Sequence, residues 1–143
     1  MKLLMAICIG FMALSVQAKA LPTCKKSGGW GGNCPYNTKF KYIQDQYAQG
    51  YVKEIKVFTP LKTMSPGLLL ILSVGKSTIE FHLGPKWFFD HQDTLPRKGQ
   101  KLIVGGIEGT LEGKKINFAS SLNLRGKNLK LRKLKEPPVW SLH

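Results

Sequence analysis

Apolar and polar positions alternate in short bursts along most of the chain, a spacing of two that belongs to strands. In GYVKEIKVF (50–58), Val52 shares a face with Ile55 and Val57 only if a bulge shifts the register after Val52. Residues 59–67 hold two prolines and read as a loop. Leu68 to Val74 is a nearly continuous apolar run, as in a strand covered on both faces. Gly75-Lys76 turns the chain, and Ile79, Phe81 and Leu83 then alternate with Glu80 and His82. Pro85 opens a short aromatic segment, KWFFDHQ, too brief for a free-standing helix, so it must pack on the sheet. Further strands follow at KLIVGG, around Ile116 and Phe118, and at NLKLR. A turn is expected around Gly113, and Pro137-Pro138 ends the regular structure.

This order predicts a mainly β fold. Coiled strands with one short helix between the third and fourth are the plan of a small OB-fold-like barrel. A β-sandwich is the competing plan, but the chain is short for two full sheets. Residues 21–49 form a Gly-rich extension. Phe40, Tyr42, Ile43 and Tyr47 fit either a strand or a short helix leading into the barrel. The expected organisation is a signal segment at 1–20, the extension at 21–49, the barrel at 50–136 and a tail at 137–143.

The signal expectation rests on Met1-Lys2, the uncharged run from Leu3 to Val16, and the small-x-small site Ala18-Lys19-Ala20. The run is shorter than the ~20 residues a spanning helix needs. It predicts an exported protein, periplasmic or secreted. Cys8 would leave with the signal, and Cys24 and Cys34 would remain. They flank KKSGGWGGN, which holds no His to complete a metal site, so an oxidising compartment favours a disulfide. Closing so short a loop restricts the unfolded chain by about 2–3 kcal/mol.

Residues 50–140 carry HLGPKWF (82–88), KGQKLIVGG (98–106), LKLR (129–132) and PPVW (137–140). In these motifs the chain resembles a group of small exported bacterial proteins with an OB-like barrel. Domains of magnetosome-associated proteins lie near that group, and periplasmic bacterial OB-fold proteins resemble it more loosely. The resemblance implies the fold and no activity. The chain departs from the pattern at Lys133, where an acidic residue is usual after L-x-LR, and in its two-cysteine extension.

Charge changes the picture most. The 143 residues hold 22 Lys plus Arg against eight Asp plus Glu, a formal net charge of +14. Signal cleavage would remove only Lys2 and Lys19, so the surplus belongs to the exported part. Such a surplus points to an anionic ligand or membrane surface. Its densest run is RGKNLKLRKLK, with Arg125, Lys127, Lys130, Arg132, Lys133 and Lys135 as candidate anion ligands. The competing reading is an edge strand protected by Lys. Lys25, Lys26, Lys39 and Lys41 could extend the patch.

OB barrels stack sugars or bases on exposed aromatics. Trp30, Tyr51 and Trp140 are the candidates, with Tyr36 and Tyr42 behind them; Trp87 and Phe88 are assigned to the core. The compartment disfavours nucleic acid as the anion. If the function is a protein contact instead, Trp30 and Trp140 would be its anchors. His82, Asp90, His91 and Asp93 would serve a metal-dependent hydrolase only if they converged. No GxSxG, HExxH or P-loop pattern is present, so no cofactor and no enzymatic activity are expected.

Overall fold

The alternation begins earlier than residue 50. The computed structural model describes residues 22–93, 95–133 and 136–142, so the expected signal segment lies outside the described residues. The extension carries two single helical turns, α1 (Pro22–Lys26) and α2 (Pro35–Thr38). Strand β1 then runs from Lys41 to Phe58, taking in Tyr42, Ile43 and Tyr47. It is followed by β2 (Gly67–Val74), β3 (Ser77–Pro85), helix α3 (Lys86–Phe89), β4 (Lys101–Leu111), β5 (Lys114–Leu124) and β6 (Lys127–Lys130).

The strands hydrogen-bond in the order β3-β2-β1-β4-β5-β6. All consecutive neighbours are antiparallel. One parallel contact, His82 beside Phe118, joins β3 to β5 and closes a ring of five strands. That ring, with its helix between the third and fourth strands, is the OB plan. The sixth strand extends β5 as a hairpin.

The register follows from turn chemistry and from bulges. β1 slips between Val52 and Glu54, which sets Val52 opposite Leu72 and Ile55 opposite Leu70. Val57 stays exposed. Glu112-Gly113 and Arg125-Gly126 close two-residue hairpins with positive φ at both positions, as a type I′ turn requires. Gly75, at φ 60, opens the β2–β3 turn.

Inside the ring, Leu70, Leu72, Phe81, Leu83, Leu102, Val104 and Leu122 are buried together. Each side chain of this size contributes about 1.5–3 kcal/mol when removed from water. The aromatic segment after Pro85 forms a single helical turn. Phe89 is its fully buried residue, while Trp87 and Phe88 pack half-buried against the core.

Candidate functional site

The same buried cluster extends beyond the ring into an aromatic layer that includes Trp30, Tyr36 and Trp140. The extension builds it. Cys24 and Cys34 are joined by a disulfide with Cα atoms 5.3 Å apart, and Gly28 and Gly29 take left-handed conformations within the loop. Three indole N–H groups then tie the layers together. Trp30 donates to the Ser65 carbonyl at 2.9 Å, Trp87 to that of Ser27 at 3.1 Å and Trp140 to that of Trp30 at 2.7 Å.

These bonds correct the stacking and anchor expectations for Trp30 and Trp140. Both are fully buried, 0% and 1% exposed, and meet edge to face at 6.5 Å. A buried indole keeps its N–H satisfied by a backbone carbonyl, and each of these rings found one. Tyr51 does project from β1, at 57% exposure opposite Lys101, and the neighbouring Tyr47 is more exposed at 78%.

Alternation with Glu80 suggested that His82 faces solvent. The extension covers it instead. The Tyr36 hydroxyl lies 2.8 Å from His82 Nδ1, and Phe58 packs edge-on against the imidazole at 4.7 Å. Burial, helped by the Arg132 cation, pushes the His82 pKa down to about 4. The imidazole is therefore neutral at pH 7, and its Nδ1 shares one hydrogen bond with the Tyr36 hydroxyl. Burial also raises the Tyr36 pKa above its usual value, against the pull of Arg132.

Arg132 was expected on the exposed cationic stripe. It turns inward instead. Strand β6 ends at Lys130, and the amides of Leu131 and Arg132 both donate to the Ser120 carbonyl, at 2.8 and 3.1 Å. Two donors on one acceptor break the ladder, so strand alternation no longer sets the side-chain direction. The guanidinium carbon lies 4.1 Å from the Phe118 ring centroid and 5.1 Å from that of Trp140. Nη1 donates to Asn37 Oδ1 at 2.7 Å. Nε and Nη2 are buried without a partner. Burial lowers the Arg132 pKa to about 10, which leaves it cationic at neutral pH.

Beside this group is a cavity of about 790 Å³ between the disulfide loop, the barrel wall and the tail. Lys26, Phe40, Ile107, Phe118, Pro138 and Trp140 contribute to its walls. Of the other candidate anion ligands, Lys133 also lines the cavity and the hairpin cations lie elsewhere. Arg125, Lys127 and Lys130 are exposed along the β5–β6 hairpin. Lys133 is exposed and 3.9 Å from Glu136, and Lys135 lies outside the described residues. Among the described residues no three His, Cys, Asp or Glu side chains cluster as metal ligands. Asp90 instead pairs with Lys86 at 2.9 Å. Sequence reasoning missed Asn37 and Phe118, since nothing local to either announces a distant arginine.

The model of the MamS/MamX magnetosome protein family matches residues 45–129, more than half of the chain. The chain belongs to the MamS/MamX magnetosome protein family. No curated protein and no solved structure matches it. The stretch matched to the MamS/MamX family contains the barrel wall, with Ile107 and Phe118. The disulfide loop falls before it, and Arg132 and the tail fall after it. The cavity is therefore lined partly by the family's barrel and partly by segments beyond the match.

Proposed function

We propose that this MamS/MamX-family chain is an exported, non-enzymatic binding protein whose cationic surface holds an anionic ligand. Candidate ligands are acidic lipid headgroups, lipopolysaccharide, acidic glycans and oligonucleotides. The observation carrying this reading is the state of the lysines. Every described Lys except Lys86 is exposed, and only four ion pairs form among the described residues. Exposed cations left unpaired are free to contact phosphate, sulfate or carboxylate groups. The hairpin supplies the local density. Arg125 sits in the two-residue turn and Lys127 and Lys130 are exposed on β6, with Tyr51 as a separate stacking group on β1.

The test is binding of the purified protein to heparin, anionic vesicles and a single-stranded oligonucleotide across a salt series. Affinity should fall steeply with salt for at least one probe. Affinity indifferent to salt for all three removes the electrostatic mechanism.

A second reading, a protein–protein contact, draws support from β1. Ile43, Tyr47, Tyr51 and Val57 are large, apolar or aromatic, and more than half exposed on this one strand. A stoichiometric protein partner retained at high salt, and released by Tyr47→Ser, favours this reading over the first.

A further inference from the structure

We infer that the cavity beside Arg132 is a binding site for a small monocarboxylate with an apolar body. This goes beyond the surface reading, because it uses none of the exposed hairpin cations.

A guanidinium has five N–H donors in a fixed plane. In Arg132 one side of that plane is already held, by Nη1 on Asn37 Oδ1 at 2.7 Å. Its faces lie against Phe118 and Trp140. The edge formed by Nε and Nη2 is the part left over. Both nitrogens are shielded from water and have no protein acceptor. Unpaired, charged donors in such a place are costly, and an acceptor that meets both offsets the cost. The N–H bonds on that edge run parallel, the geometry that receives the two oxygens of a carboxylate.

Charge decides between anions. Lys133 and Glu136 also line the cavity, but they are 80% and 61% exposed and lie 3.9 Å apart, so their opposite charges offset one another and Arg132 is the buried charge left to balance. One buried cation is balanced by one negative charge. A dianion would leave surplus charge in an apolar setting. The walls fix the rest of the ligand. Phe40, Ile107, Pro138 and Trp140 offer aromatic and aliphatic contact, and about 790 Å³ accommodates a body larger than acetate. Lys26 at the rim is exposed and attracts anions toward the opening. Because the two nitrogens are covered, a carboxylate reaches them only when the groups over that edge move aside.

The experiment uses the whole exported protein and compares benzoate, phenylacetate and hexanoate with neutral benzamide and with inorganic phosphate. Titration calorimetry gives affinity, and the Arg132 Nε–H resonance reports the contact. At least one carboxylate should bind and move that resonance downfield. Benzamide and phosphate should each bind about tenfold more weakly or worse, since a hydrogen bond to a charged group contributes roughly 1.5–3 kcal/mol. Arg132→Lys keeps the charge and loses the fork, so it should weaken carboxylate binding by a similar factor and leave heparin affinity unchanged. If that variant does not fold, the benzoate–benzamide comparison and the Nε–H shift in the unaltered protein still decide. The proposal is overturned by benzamide or phosphate binding as tightly as every carboxylate, by an unmoved Arg132 resonance, or by no carboxylate binding at all. A loss of salt-dependent heparin binding would sink the surface reading and leave this one standing.

Discussion

His82 shows how one buried side chain turns packing into pH dependence. Its neutral form is favoured first by burial and then by the Arg132 cation nearby. In the unfolded chain an imidazole takes up a proton near pH 6.5; in the folded chain this one waits until about pH 4. Between those values the unfolded state binds the extra proton, so stability declines as the pH falls through that window and levels off below it. The difference amounts to at most about 3 kcal/mol. Urea unfolding at several pH values across this window should show a steeper decline than in His82→Gln. Carboxylates titrating in the same range contribute to both proteins and cancel in the comparison. Parallel curves would mean that His82 is not held neutral. Nothing in the local sequence announced this residue. Alternation put it beside Glu80 on the solvent face, and only the extension, folding back from distant positions, encloses it.

At the level of elements, the sequence was most legible where one short rule decided the outcome. The two-residue turns, the bulge after Val52, the apolar run of β2 and the Cys24–Cys34 bridge each follow from residues within a few positions of one another. The lower end of β1 and the destination of the extension did not, because both depend on the wall they pack against. The disulfide loop is the element that holds this outer layer together. It presents Trp30 to Ser65 and Trp140, and α2, which follows directly after it, presents Asn37 to Arg132. The double variant Cys24→Ser/Cys34→Ser should lower stability by about 2–3 kcal/mol, if loop entropy dominates. The loss should also be uneven. Amide exchange should quicken for Trp30, Leu131 and Arg132, whose order depends on the cover, while Leu70, Leu72 and Val104 keep their protection. Equal loss across both sets would mean that the extension is an integral part of the barrel core rather than a separable cover.

For the whole molecule, composition revealed the size of the positive charge but not its division. Among the described residues, seventeen Lys and Arg side chains are exposed, enough for non-specific attraction alone to bind polyanions. The question is whether the β5–β6 hairpin acts as a face. Arg125→Asn, Lys127→Gln and Lys130→Gln remove its three described cations. The first change also suits the turn, since Arg125 sits at φ 52, a conformation Asn tolerates better. Each lost phosphate contact should reduce the slope of log affinity against log salt by about 0.7 for a single-stranded oligonucleotide, so the triple variant should lose about 2. The matched control, Lys53→Gln, Lys76→Gln and Lys98→Gln, takes the same charge from exposed positions on β1, the β2–β3 turn and the approach to β4. A hairpin face requires the first trio to flatten the slope far more than the second. Equal flattening would assign the attraction to net charge spread over the barrel, with no privileged surface.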